Sequence, residues 1–150
     1  MTDKAMLLAL DYAARAAASA EVPVGAVIVD PDTDEIISAA HNAPVSQHDP
    51  TAHAEILALR AAARLRGNYR LTGLHIHVTL EPCAMCAGAI SLARLGRLVF
   101  AARDPKGGGV LHGPCFFDQP TCHWRPEIIE ASQYASQASQ LLKDFFRARR

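Results

Sequence analysis

Leu74-His-Ile-His-Val-Thr-Leu-Glu-Pro-Cys-Ala-Met-Cys86 changes its period part-way along. Residues 74–79 alternate apolar and polar, the two-residue repeat of a strand with unlike faces. Pro82 suits the first turn of a helix, where no backbone N–H is needed. A helix is therefore expected from Pro82 to about Arg94, closed by Gly96. Working outward, residues 97–102 read as the next strand, completing a strand–helix–strand unit. Upstream, Met6, Leu7, Leu10, Ala13, Ala14 and Ala17 fall at helical spacing over residues 4–19. Residues 24–29 read as a buried strand, residues 30–34 as a turn cluster, and residues 35–41 as the returning arm of a hairpin. Residues 42–50 hold two prolines and read as a loop. Thr51 is the expected cap of a helix running to Arg66 and ended by Gly67. Downstream, residues 103–124 read as irregular, residues 127–130 as a last strand and residues 131–149 as a last helix. Strands alternating with helices imply an α/β fold, a three-layer α/β/α sandwich around a five-stranded mixed sheet.

The length of 150 residues suits one domain over 1–150 and is enough to bury a core without staples. Half the residues are hydrophobic and 20% are charged, a globular rather than a disordered balance. Lys4 is followed by only six apolar residues before Asp11, too few for a secretory segment. No stretch approaches the ~20 apolar residues of a membrane span. A cytoplasmic location is expected, where the four cysteines would be free thiols or metal ligands. The net charge is zero but uneven. Residues 1–50 carry 2 basic and 8 acidic side chains, residues 51–100 carry 6 and 2, and residues 101–150 carry 7 and 5. A polyanionic partner would meet the second and third segments, not the first. Arg64, Arg66, Arg70, Arg94 and Arg97 make up much of that positive middle, although solvated helix ends are the plainer use of each.

The chemistry concentrates in two short segments, His53-Ala54-Glu55 and Pro82-Cys83-Ala84-Met85-Cys86. Each sits at an expected helix start. A catalytic zinc takes three protein ligands and one water, and His53, Cys83 and Cys86 supply that count. Cys83 and Cys86 lie three apart, one helical turn, so both sulfurs share a face. The positive end of a helix favours the thiolate form that a metal needs. His53 and Glu55 lie two apart and would point away from each other on a regular helix, so they can flank one metal only if the helix has barely begun. Zinc lowers the pKa of a bound water towards neutrality. Glu55, beside the metal but not on it, can carry the water's protons to a ring nitrogen and a departing amino group. A lone C-x-x-C could be a redox pair or half a structural zinc site. The combined order H-x-E then P-C-x-x-C is the signature of zinc deaminases that act on nucleobases.

With those residues in view, the chain resembles the bacterial tRNA-specific adenosine deaminases, of cytidine-deaminase-like fold. The resemblance spans residues 21–150. It is carried by Glu21-Val-Pro-Val-Gly-Ala26, His48-Asp-Pro-Thr-Ala-His-Ala-Glu55, Asn68-Tyr-Arg-Leu71 and Val78-Thr-Leu-Glu-Pro-Cys-Ala-Met-Cys-Ala-Gly-Ala89. Val99-Phe-Ala-Ala-Arg-Asp104 and the ending Asp144-Phe-Phe-Arg-Ala-Arg-Arg150 extend it. It implies hydrolysis of adenosine to inosine at the wobble position of a tRNA anticodon, usually an arginine tRNA, with one zinc per subunit of a homodimer. It also implies that Asn42 hydrogen-bonds the flipped base and that the Ala54 N–H holds the exocyclic oxygen or the zinc-bound species. Val24 and Pro44 would wall the pocket, and Asp104 and Lys106 would contact the flanking ribose and phosphate. Phe145, Arg147 and Arg149 would face the anticodon stem-loop. RNA recognition by splayed loop bases and by salt-dependent phosphate contacts agrees with such a site.

The zinc residues are shared with enzymes acting on guanine, cytosine and cytidine. A free nucleobase deaminase is therefore the alternative, and a non-catalytic zinc or RNA-binding module a second, against which the intact Glu55 argues. Cys115, Cys122, His123 and His112 match no ligand spacing, and free thiols in a loop are expected there. His75 and His77 share a strand face and read as structural. Tyr69 and Trp124 read as packing residues before base-stacking ones. Gly107-Gly-Gly109 reads as a flexible turn. Residues 107–124 depart most from the resemblance.

Overall fold

The computed structural model describes residues 2–149, so the Arg150 of the closing motif lies outside it. The order is α1 (Thr2–Ala18), β1 (Gly25–Asp30), β2 (Glu35–His41), α2 (Pro44–Gln47), α3 (Ala54–Arg66), β3 (His75–Leu80), α4 (Ala84–Ala93), β4 (Arg97–Ala102), β5 (Glu127–Glu130) and α5 (Ala135–Arg147). The five strands form one sheet in the order β2-β1-β3-β4-β5. β1 pairs antiparallel with β2 and β3, whereas β3–β4 and β4–β5 are parallel. The mixed five-stranded sheet of the sequence reading is what the chain forms.

Alternation along the strands builds the three layers. Ala26, Ile28, Ile76, Val78, Leu98 and Phe100 point to one face and pack against Ala54, Ala58 and Ala62 of α3 and Ala87 and Ile90 of α4. Val27, Val29, Val99 and Ala101 point to the other, against Ala5, Met6 and Ala9 of α1 and Ala138 of α5. Alanine on the helices lets them lie close to the sheet. The limit is reached at Gly25, where an added Cβ would sit 1.9 Å from the Ala9 carbonyl oxygen. His77 lies between Val27 and Val99 in register, and its buried Nδ1 has no partner. Burial, more than the nearby His75 and Arg97, pushes its pKa down to about 4, so it stays neutral.

Several local expectations need correcting. The loop after β2 contains the short helix α2. It is held by the buried carboxylate of Glu21, which accepts the Val45 N–H at 3.2 Å and the Ser46 N–H at 2.7 Å. Thr51 does not cap α3. Its N–H and hydroxyl both donate to Asp49 Oδ1, at 2.9 and 2.7 Å, and α3 begins at Ala54. α4 begins at Ala84 rather than at Pro82 and ends on Arg94 at φ 59°, not at Gly96. The last helix is preceded by a separate 3-10 turn, Ser132–Tyr134. Nor is Gly107-Gly-Gly109 a free turn. A Cβ on Gly108 would meet Glu81 Oε2 at 2.3 Å, and one on Gly109 would meet the Ala84 nitrogen at 2.6 Å. These glycines allow a close approach of two backbones.

Candidate active site

His53 is the residue before the first turn of α3 and Cys83 the residue before the first turn of α4, both with extended backbones. Neither side chain caps its own helix. A serine or aspartate there would turn back on the helix amides. Imidazole and thiol are left to point into the gap between the two helix starts. The extended His53 backbone also removes the conflict with Glu55, because the two-residue separation is not helical at its first member. α3 is capped from a distance, by Asn42 Oδ1, which accepts the Ala54 N–H at 2.8 Å.

His53 Nδ1 lies 3.6 Å from Cys83 Sγ and 3.4 Å from Cys86 Sγ. The three donor atoms fall within 4.8 Å of one another, and they form the one such cluster of three or more His, Cys, Asp or Glu among the described residues. A tetrahedral zinc with bonds of about 2.0–2.1 Å to nitrogen and about 2.3 Å to sulfur requires roughly 3.6 Å between those donors. The cluster has the chemistry and the spacing of a three-ligand zinc site.

The protonation of the cluster is polarised. A hydrogen bond from Cys86, then one with His53, overcome burial and bring Cys83 down to about 4, a thiolate at neutral pH. Cys86 is pushed up by that same pairing and by burial. The Cys83 hydrogen bond raises His53. Glu55 is 4% exposed, and burial, reinforced by the Cys83 charge, lifts its carboxyl to about 7. A carboxyl that both gains and loses a proton near neutrality has the poise of a general acid–base.

His53 and Cys83 of the cluster, with Glu55, form the floor of a cavity of about 250 Å³ also lined by Val22, Val24, Asn42, Leu80, Glu81, Asp104 and Gly107. Of the residues implied by resemblance, Val24, Asn42 and Asp104 line it. Pro44 does not line it and instead opens α2 beside Asn42. Ala54 presents an N–H already engaged by Asn42. Lys106 is exposed and outside the lining. The aromatic expectation at the C-terminus needs a correction: Phe145 is buried, edge-on to Phe146, with the Arg149 guanidinium 3.6 Å over its ring. Phe146, 47% exposed, is the aromatic available to a partner, together with exposed Arg147 and Arg149. In the irregular segment, Cys122 lies beside Ser91 and the Trp124 carbonyl, and Trp124 Nε1 donates to Leu95 O at 2.8 Å, a packing role.

Beyond Val22, Leu80 and Gly107 of the lining, two buried acids escaped the sequence reading. Glu21 and Glu81 are each 2% exposed, and both lie inside quoted motifs without a role. The available signal was a lone acid next to an apolar strand, which is expensive to bury without partners.

Residues 1–102 match the cytidine and deoxycytidylate deaminase zinc-binding region. The chain belongs to this family. Among curated relatives, the tRNA-specific adenosine deaminase of Agrobacterium fabrum is 46% identical over 97% of this chain and 93% of its own length. That of Haemophilus influenzae is 47% identical over 99% of this chain and 84% of its own. A solved structure from a study of A-to-I editing by tRNA:A34 deaminases at the wobble position superposes with a TM-score of 0.90 at 44% identity. It covers 93% of this chain and 99% of that one. A guanine deaminase from Nitrosomonas europaea shares the fold at 22% identity with a TM-score of 0.80, over 94% of this chain and 82% of that one. The deaminase family and the His53, Cys83 and Cys86 cluster together make the chain a zinc-dependent hydrolytic enzyme.

Proposed function

We propose that the chain deaminates adenosine to inosine at the wobble position of a tRNA anticodon, an arginine tRNA being the expected substrate. The observation that carries this reading is the near-full-length identity of 46–47% to tRNA-specific adenosine deaminases, joined to an intact metal and proton-transfer floor. The likeness to a guanine deaminase is half as strong and concerns the fold.

The reaction replaces the amino group on the purine six-membered ring by water's oxygen and releases ammonia. Zinc, when bound, supplies a Lewis acid that makes a coordinated water acidic near neutral pH. His53, Cys83 and Cys86 would hold it. Glu55 accepts a proton from the attacking water and passes it to the ring nitrogen beside the carbon under attack. It then passes the second proton to the amino group as the carbon–nitrogen bond breaks, and ends ready for another cycle. Asn42, fixed by its bond to Ala54, would orient the base, and Val24 would bound it laterally. Burial of Glu55 excludes competing water from the proton path. Asp104 would meet the flanking sugar. Phe146, Arg147 and Arg149 would serve the anticodon loop, with aromatic stacking and phosphate attraction as the means.

A homodimer working in the cytoplasm completes the proposal. Exposed Tyr69 and Leu92, which line a groove of about 280 Å³ between α3 and α4, support the dimer. No helix among the described residues is long and apolar enough to cross a membrane.

The test is incubation of zinc-loaded protein with an arginine tRNA bearing an ACG anticodon, and separately with free adenine, guanine and cytosine. Inosine at the first anticodon position is the expected product. Turnover of a free base with an unmodified tRNA would replace this reading with the small-molecule one.

A further inference from the structure

Glu81 closes the apolar strand β3 two residues before Cys83, and its side chain has no exposed surface. Five donors meet its carboxylate. Oε1 accepts the Asp104 N–H at 3.0 Å and faces His112 Nδ1 at 2.8 Å. Oε2 accepts the N–H groups of Val110, Leu111 and His112 at 3.1, 2.9 and 3.2 Å. Its own N–H donates to Ala102 O at 2.8 Å, which prolongs the β3–β4 pairing. The carboxylate thus sits where the chain leaves β4 and draws the following segment back across the end of the sheet. Gly108 makes the approach possible, since a Cβ there would collide with Oε2. Gly109 N–H then donates to Pro82 O at 2.8 Å, pinning the segment against the residue before Cys83.

This arrangement is far from Glu55's role. Glu81 lies outside the zinc-ligand cluster, and every hydrogen-bond donor to its carboxylate comes from residues 104–112. Asp104 and Gly107, on that segment, form one side of the cavity. Without the carboxylate, four backbone N–H groups would face a dry interior with no acceptor, and the segment would have to move outward to find water.

We propose that Glu81 is a positioning residue, whose buried carboxylate gathers residues 104–112 into the outer wall of the pocket and so places Asp104 for the nucleotides flanking the reacting base. The inference rests on the reading of the cavity as an RNA site. It makes Glu81 a determinant of RNA-strand binding and not of the chemical step.

The experiment compares wild type, Glu81→Gln and Gly108→Ala on an anticodon stem-loop, with zinc content and backbone amide exchange measured on the same samples. Glu81→Gln puts an NH2 among N–H donors, and Gly108→Ala drives the segment off from its own side. Each is expected to raise KM by about tenfold or more with kcat changed less than about threefold, the signature of lost binding without lost chemistry. The double variant should be no worse than the stronger single one, because both open one clamp. Amides of residues 104–112 should exchange faster, while those of residues 53–55 and 83–86 keep their protection. An unchanged KM, or a fall in kcat that tracks lost zinc, would overturn the assignment. If wild type leaves the stem-loop unmodified, the functional reading has failed and amide exchange alone decides. Loosening confined to residues 104–112 then upholds the clamp, and uniform loosening or none rejects it.

Discussion

At the floor of the pocket two helix starts turn their side chains toward one point, whereas at its rim two buried carboxylates draw amides from distant loops toward themselves. His53 and Cys83 occupy cap positions without capping, and their polar atoms remain for a metal. Glu21 and Glu81 do the reverse. They use up their own charge on backbone N–H groups, Glu21 on the α2 loop and Glu81 on the segment after β4. The floor is therefore reactive and the rim inert, although both are built from ionisable residues. A buried charge identifies chemistry only when its hydrogen-bonding capacity is left open.

The largest effects are expected at the floor. Replacing Cys86 with Ala should remove zinc and deamination together, read by metal analysis and inosine formation. Glu55→Ala should separate them, with about one zinc per chain retained and kcat down by about 10³-fold or more. Zinc retention with near-normal turnover would show that the proton route lies elsewhere. Stripping zinc with a chelator should abolish activity and adding it back should restore it, while far-ultraviolet circular dichroism stays unchanged, because two alanine-rich cores hold the sheet without the metal.

At the rim the effects should be on stability and affinity. Glu21→Gln is expected to cost about 1–3 kcal/mol at neutral pH by denaturant unfolding, the range for leaving buried donors poorly matched. The pH dependence has a definite sign. Burial pushes the Glu21 carboxyl up, but the Ser46 and Val45 N–H groups outweigh it and hold the folded carboxyl below its ordinary 4.5. Its contribution is thus present above that value and fades as pH falls through the lower folded one. The gap between wild type and variant should stay constant from about pH 6 to 8 and narrow below about 4.5. A gap that widens in acid would contradict the hydrogen-bonding account.

The smallest effects on the reaction belong to the C-terminal helix. Phe145→Ala should lower stability by about 3–5 kcal/mol as a core truncation, and Phe146→Ala should leave the melting temperature almost unchanged. Arg147→Ala should weaken stem-loop binding only several-fold, with the salt slope falling by about 1, as for loss of one phosphate contact. A steep loss of affinity on Phe146→Ala alone would move a main determinant of RNA binding to this helix.

The floor was readable in the sequence because its members are neighbours in the chain and strands precede or follow them on schedule. His-Ala-Glu and Cys-Ala-Met-Cys need only two helix starts to meet, and the strands on either side announced those starts. Residues 35–41, 97–102 and 127–130 were placed to the residue, since alternation or apolar runs mark them. The rim was not readable, because its bonds join residues 23 to 31 apart and no periodicity records them. The three glycines looked like slack, and only the positions of Glu81 and Ala84 show Gly108 and Gly109 as tight contacts. Phe145 and Phe146 are indistinguishable as neighbours until the helix is rotated onto α1 and the sheet.

The clamp at Glu81 ends at His112, and that boundary matters for descent and engineering. The chain beyond it, residues 113–124, makes no bond to the carboxylate, but the Phe116 N–H donates to Gly109 O at 2.8 Å and Phe117 is buried in the core shared with α4. A replacement for that stretch would have to keep the Phe116 and Phe117 contacts if the Asp104 wall and the metal floor are to stay in place. A lineage could trade the rest of the outer loop around those two aromatics, and a laboratory graft could do the same, with the reaction inherited whole.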